Sequence, residues 1–283
     1  PQTQFRRMTQ DQKPVAMLER LIQRLQLNPG DTDVYLGGAG SGGVTANERL
    51  FGGLVAAQAT MAAMRTVEEF PIHSLHSYFL RPGRPDADIE FHVTRSKEGR
   101  NFAVRNVAAW QSGSLIFQLQ ASFQRSAEGL HHQPSAPKVQ TPEDSPNRDA
   151  LRGRANWQEM PLDVRMVTPL TEQKPLPAHQ QIWLGVNGQL PEDSRLHTAM
   201  LVYASDRCLL DTAWRPHADQ GQMSGASLDH SMWFHQPVDF NQWLLYETNS
   251  PAADGGRGLA FGHIYSNDGQ HIVSVAQEGV MRV

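Results

Sequence analysis

The same short series of landmarks occurs twice in this chain, roughly 156 residues apart. Pro82 and Pro237 each follow an aromatic pair, Tyr78-Phe79 in the first half and Trp233-Phe234 in the second. Gly99-Arg100 is answered by Gly256-Arg257, and the hairpin glycine Gly113 by Gly269, with Ile116 matching Ile272. One such coincidence means little. Three in the same order at near-constant spacing point to duplication of a single supersecondary unit.

That unit reads as a helix followed by antiparallel strands. In the first copy, residues 55–64 (VAAQATMAAM) make a small-residue helix able to lie close against a sheet. Residues 74–80, 89–96, 102–110 and 115–123 follow as strands, the last two joined by a Gln111-Ser112-Gly113 turn. In the second copy, residues 201–210 (LVYASDRCLL) are the helix and 227–234, 243–249, 259–265 and 272–280 the strands. Ahead of both, Met17, Leu18, Leu21, Ile22 and Leu25 recur at helical spacing until Asn28-Pro29-Gly30 stops them. A glycine-rich turn, residues 37–43, comes next. Residues 127–146 are rich in Pro, Ser, His and acidic side chains and read as a surface linker, irregular to about residue 177. The expected architecture is α+β, with units at 15–126 and 178–283 joined by a linker at 127–177. Each unit wraps an antiparallel sheet around its helix, and the two sheets can pair edge to edge so that neither leaves an open template.

Composition narrows the function classes. A chain of 283 residues can bury a sizeable core without staples. The formal net charge of -4 argues against a nucleic-acid partner, which calls for a basic face. Cys208 is the only cysteine, so an intramolecular disulfide framework and a multi-cysteine metal site are both excluded. The apolar runs fall short of the about 20 residues that span a bilayer, so no membrane insertion is expected. The polar N-terminus carries no signal-peptide core and the C-terminus, Met281-Arg282-Val283, is not of the Ser-Lys-Leu type, so a cytoplasmic location is expected.

Several stretches are more specific. Leu228 to His235 (LDHSMWFH) resembles the signature of the type-II acyl-CoA thioesterases, a group that includes the bacterial thioesterase II and the peroxisomal acyl-CoA thioesterases. Phe51-Gly52-Gly53 with Gln58-Ala59, His76 to Gly83 (HSYFLRPG), Tyr203 to Asp206 (YASD) and Val275 to Arg282 (VAQEGVMR) match the same family in the same order. The glycine-rich stretch at 37–43 departs from the family's usual polar turn and has no assigned role. The resemblance implies a double hotdog fold, an acyl-CoA substrate of medium to long chain, no cofactor, no metal, and a homo-oligomer (dimer or tetramer). It also implies an acid, a hydroxyl and an amide that hold the hydrolytic water, matched here by Asp206, Ser227 and Gln277.

These residue types suit the chemistry. Thioester hydrolysis needs a nucleophile, an acceptor for its proton, and donors aimed at the developing oxyanion. Asp206 is a carboxylate on an otherwise apolar helix face, and it either takes the proton or orients the water. Ser227 and Gln277 each offer a donor and an acceptor. No G-x-S-x-G elbow surrounds Ser227; the nearest such stretch, Ala39-Gly40-Ser41-Gly42-Gly43, reads as a loop. Cys208 reads as a small buried hydrophobe rather than a nucleophile. Gly52-Gly53 stands before the first helix where the second half has Ser205-Asp206. The Gly53 N–H there can polarise a carbonyl, or the glycine serves close packing alone. His76 and His230 read as core hydrogen-bonding residues, with His76 also a candidate for the substrate channel. No H-E-x-x-H or comparable spacing supports a metal site. Two rival readings are a hotdog enoyl-CoA hydratase, which calls for an Asp/His pair not seen near Asp206, and a non-catalytic acyl-CoA-binding protein.

Overall fold

The computed structural model describes residues 12–38, 50–170, 174–221 and 224–283. Residues 39–43 of the glycine-rich stretch, and with them the elbow-like serine, lie outside the described residues. The helices are α1 (Gln12–Leu25), α2 (Gly52–Arg65), α3 (Arg148–Leu151), α4 (Ser194–Asp206) and α5 (Asp211–Trp214). The strands are β1 (Asn28–Pro29), β2 (Val34–Gly37), β3 (Ile72–Phe79), β4 (Ile89–Glu98), β5 (Phe102–Gln111), β6 (Ser114–Gln124) and β7 (Leu162–Met166). They continue with β8 (His179–Val186), β9 (Ser224–Ser227), β10 (Asp229–Phe234), β11 (Leu244–Asp254), β12 (Arg257–Ser266) and β13 (His271–Arg282).

The two expected sheets are one. Among the described residues, all 13 strands join in a single antiparallel sheet in the order β1-β2-β4-β5-β6-β3-β10-β13-β12-β11-β8-β7, with β9 paired to β13. The seam lies between β3 and β10, where Asp229 faces Tyr78 and Trp233 faces Ser74. Each of these strands would otherwise end its half of the sheet with a row of unpaired N–H and C=O groups, and their mutual pairing satisfies both. His76 and Ser231 meet at the seam, His76 Nδ1 lying 3.1 Å from Ser231 Oγ. These two are 155 residues apart, so equivalent positions of the repeat face each other there. The turn glycines Gly113 and Gly269 both adopt left-handed backbone, with φ of 76° and 85°, as tight hairpins require.

One face of the sheet carries the helices. On β5, Ala103, Arg105, Val107 and Ala109 alternate inward with exposed or half-buried neighbours, the pattern of a strand covered on one side. Arg105 is buried and ties β5 to the end of α2 through Thr66, its Nε donating to Thr66 Oγ1 at 2.7 Å and its Nη2 to the Thr66 carbonyl at 2.9 Å. Helix α2 is buried from Gly53 to Met64, as an all-round apolar helix must be. It runs antiparallel to α4: a Cβ on Gly53 would come 2.8 Å from the Tyr203 carbonyl oxygen, and one on Gly52 3.3 Å from Asp206 Oδ2. At the opposite ends, Met64 and Ser194 line a common cavity of ≈ 1140 Å³.

This packing corrects three sequence expectations. The second helix was placed at 201–210 but starts at Ser194, where Asp193 caps it by accepting from the Arg195 N–H, and ends at Asp206. Gly52-Gly53 therefore opens α2 while Ser205-Asp206 closes α4; the two pairs are neighbours in space, not equivalents in the repeat. Finally, β7 arises within the segment expected to be irregular and pairs with β8 from Leu162 opposite Val186 to Met166 opposite Ile182.

The other face is partly bare. Residues of the 127–146 segment cover its second half, with Ala136 and Val139 packed on Trp183, Leu245 and Tyr265. Elsewhere Tyr78, Phe102, Trp110, Trp233 and Phe261 remain exposed.

A group of histidines near that covered region gives the fold an acid-sensitive element. His263 Nδ1 and His271 Nε2 are 3.2 Å apart, and the His235 and His271 rings are 4.7 Å apart between centroids. Burial, and then His235 and His263, press the His271 pKa down to about 4. Above the ordinary value near 6.5 neither state binds this proton. Below it the unfolded chain does and the folded chain does not, so stability falls as pH drops from about 6.5 toward about 4 and then levels off. Thermal unfolding across that window should show this slope, and His271→Gln should make it shallower, leaving the part that His73, His230 and His235 add in the same direction.

Candidate active site

The end of α4, the two strands that flank the β9–β10 turn, and the middle of β13 meet at one place. Asp206, 8% exposed, closes α4, and Ser227 ends β9. Gln277 lies wholly buried on β13, its side chain on the helix-bearing side of the sheet. Ser227 Oγ donates to Asp206 Oδ1 at 2.9 Å and Gln277 Nε2 donates to the same oxygen at 2.5 Å. Both donors thus converge on Oδ1, which leaves Oδ2 turned toward Gly52 at the start of α2. The first N–H groups of a helix have no acceptor within it, so Oδ2 faces the donor-rich end of α2. Phe51 and Tyr203 close the neighbourhood edge to face, with ring centroids 5.1 Å apart.

Below this trio lies a second layer, centred on His230, that strand pattern alone marks only as core. His230 is wholly buried, its Nδ1 3.1 Å from Gln277 Nε2 and its Nε2 2.8 Å from Ser205 Oγ. Ser205 Oγ donates to the Val202 carbonyl at 3.0 Å, and Tyr246 Oη donates to the Ser205 carbonyl at 3.4 Å. Burial drives the His230 pKa down more than the Asp206 charge raises it, so the ring is neutral. Gln277 Oε1 is buried without a hydrogen-bond partner among the described residues. A signal for this layer was present in the sequence: His230 sits inside the LDHSMWFH stretch and, by strand alternation, faces the side opposite to Asp229 and Ser231.

The other candidates fall elsewhere. His76 is exposed on the bare side of β3, against Trp233 with ring centroids 5.2 Å apart, so the structure brings it neither to the core nor to the Asp206 trio. Gly53 lies at the α2 start against Phe51 and the Tyr203 carbonyl, and it is its neighbour Gly52 that stands beside Asp206. Cys208 is buried, with Arg148 Nη1 donating to its Sγ at 2.8 Å. Burial pushes its thiol pKa up against the opposing Arg148 charge, which holds it as an unreactive thiol. Among the described residues, no group of three or more His, Cys, Asp or Glu is arranged to hold a metal ion. No described helix is long and apolar enough to cross a membrane.

Only one half carries the polar cluster. In the repeat, His76 is the counterpart of Ser231, and the pairings of His76 with Gln120 and of Ser231 with Ala276 fix the rest of the correspondence. One step along, His230 and Gln277 correspond to Leu75 and Ala121, which pair with each other on the first half of the sheet. The duplicated fold therefore builds the same place in apolar form.

Known proteins share this fold. The profile described as acyl-CoA thioesterase matches residues 157–280, and that described as acyl-CoA thioesterase N-terminal domain matches residues 41–124. The chain is 40% identical to acyl-coenzyme A thioesterase 8 of Mus musculus, over 92% of this chain and 88% of that one. It is 38% identical to acyl-CoA thioesterase 2 of Haemophilus influenzae, over 94% and 98% of the two chains. A crystal structure of an acyl-CoA thioesterase II from Mycobacterium marinum is similar at a TM-score of 0.78 and 36% identity, over 93% of this chain and 98% of that one. A hot dog fold protein from Alicyclobacillus acidocaldarius, 18% identical, shares the fold at a TM-score of 0.77 over 93% and 98% of the two chains. The chain belongs to the acyl-CoA thioesterase II family, with an α+β hotdog architecture. It is accordingly an acyl-CoA thioester hydrolase, and the hydratase and pure binding-module readings fall away.

Proposed function

We propose that the enzyme hydrolyses medium- to long-chain acyl-CoA with a water held at Asp206, Ser227 and Gln277. The observation that carries this is the convergence of two donors on Asp206 Oδ1, which fixes the carboxylate and leaves Oδ2 free to accept from a water. The water oxygen attacks the thioester carbonyl carbon while its proton passes to Asp206. The tetrahedral intermediate then collapses, the C–S bond breaks, and the sulfur leaves as coenzyme A thiol with the proton that Asp206 took up. The N–H groups of Gly52 and Gly53 open α2 beside Asp206 Oδ2 and are the donors we assign to the carbonyl oxygen. No cofactor is called on in any step.

The chain-length range rests on the resemblance of the Leu228 to His235 stretch to the medium- and long-chain enzymes. Thiol release from acetyl-, decanoyl- and palmitoyl-CoA tests it. The expected result is a kcat/KM for the two longer substrates at least tenfold above that for acetyl-CoA, the scale of a few buried methylenes; equal values overturn the range.

A dimer or tetramer forms part of the same proposal. Exposed aromatics on an uncovered sheet face, Tyr78 at 62% exposure among them, suit a second copy of the chain. Light scattering on the purified protein decides it, and a monomer at micromolar concentration contradicts it. The proposed location is the cytoplasm, to be checked by subcellular fractionation.

A further inference from the structure

On the reading that Asp206, Ser227 and Gln277 hold the attacking water, we infer that His230 is a positioning residue that locks the Gln277 amide in its working orientation. The direction of every hydrogen bond in the second layer is determined from one end. Ser205 Oγ spends its proton on the Val202 carbonyl and so presents only lone pairs to His230. The neutral ring therefore carries its proton on Nε2, donates it to Ser205 Oγ, and leaves a lone pair on Nδ1. That lone pair takes one amide proton of Gln277, and Asp206 Oδ1 takes the other. An amide turned over by half a rotation would set its oxygen against two acceptors at once.

The second acceptor matters because the first one changes during turnover. Once Asp206 has taken the proton from water, its pull on the Gln277 N–H weakens, and the amide is free to turn unless something else holds it. His230 does not titrate in that step and keeps the amide in place. A buried, rigid ring suits this role, since it costs little entropy at the moment of reaction. The fold supplies an internal control: at the corresponding place in the first half, Leu75 and Ala121 pack without any histidine or amide. The architecture alone does not demand His230.

A double-mutant cycle on the full-length enzyme tests this, read by thiol release, with folding checked by circular dichroism. His230→Phe keeps a ring and removes the Nδ1 acceptor; His230→Asn restores an acceptor near the same place. The expected result for His230→Phe is a kcat about tenfold or more lower with KM within about twofold, and for His230→Asn recovery of most of that loss. In a Gln277→Ala background, His230→Phe should cost less than about twofold, because there is no amide left to hold. Should His230→Phe fail to fold, Ser205→Ala, which frees the ring tautomer, takes its place in the same cycle, with a kcat about threefold or more lower that vanishes in the Gln277→Ala background. Full activity of His230→Phe, no recovery in His230→Asn, or losses that multiply with Gln277→Ala each overturn the positioning role and leave the water-holding trio standing. Full activity of Gln277→Ala alone overturns both.

Discussion

Asp206→Asn should lower kcat by about a hundredfold or more while leaving ligand affinity within about twofold. The substitution changes almost nothing in shape. Asparagine keeps an oxygen that can accept from Ser227 Oγ and Gln277 Nε2, the two bonds that fix the side chain now. What it loses is the ability to take a proton from water and return it to the departing sulfur. Steady-state thiol release gives kcat, and calorimetry with a non-hydrolysable thioether analogue gives affinity. A drop in both would mean that Asp206 shapes the binding site; full activity would mean that another group activates the water.

Gly53→Val should destabilise the protein by about 3 kcal/mol or more, in the range of overpacked core positions. A Cβ at Gly53 would come 2.5 Å from Phe51 Cε1 and 2.8 Å from the Tyr203 carbonyl oxygen. The phenyl ring can swing, but the carbonyl belongs to α4 and moves only if the two central helices part. Urea unfolding reads the loss directly. The consequence for function is that an inactive Gly53→Val enzyme says nothing about polarisation of the substrate carbonyl by this turn of α2. Wild-type stability in the variant would show that the helices are less tightly seated than their geometry implies.

Much of this molecule was legible from its sequence wherever one face of an element is covered and the other is not. The strands from β3 to β6 and from β10 to β13 announce themselves by alternation, and the repeat orders them. β8 does not, because five of its eight residues, Gln180 and Ile182 to Gly185, are buried and the alternation is blurred. β7 does alternate, Asp163 and Arg165 standing between Leu162, Val164 and Met166, but five residues are too few to stand out within a segment otherwise rich in turn residues. The start of α4 was missed because its cap, Asp193, precedes a first turn, Ser194 to His197, that reads as polar. Edge-to-edge joining of the two sheets follows from the need to pair open edges, but the choice of β3 and β10 as the seam is not legible, since they join mainly through their backbones.

The site was half legible for a related reason. Asp206, Ser227 and Gln277 were found through a family resemblance, which names positions without saying what surrounds them. Sequence order suggested that Gly52-Gly53 and Ser205-Asp206 were counterparts, whereas antiparallel packing of α2 on α4 makes them neighbours. His230 was set aside as core because a buried histidine on a strand usually is. Its partners, 25 and 47 residues away at Ser205 and Gln277, come together only in the folded sheet.

Single-turnover hydrolysis in ¹⁸O water, with enzyme in excess over a long-chain acyl-CoA, puts the mechanism to its most direct test. Attack by a water held at Asp206 delivers the label to the fatty-acid carboxylate in the first turnover and leaves the enzyme unlabelled. Label recovered in the Asp206 side chain, with an unlabelled first product, would show that the carboxylate itself attacks the thioester and would contradict hydrolysis by an activated water.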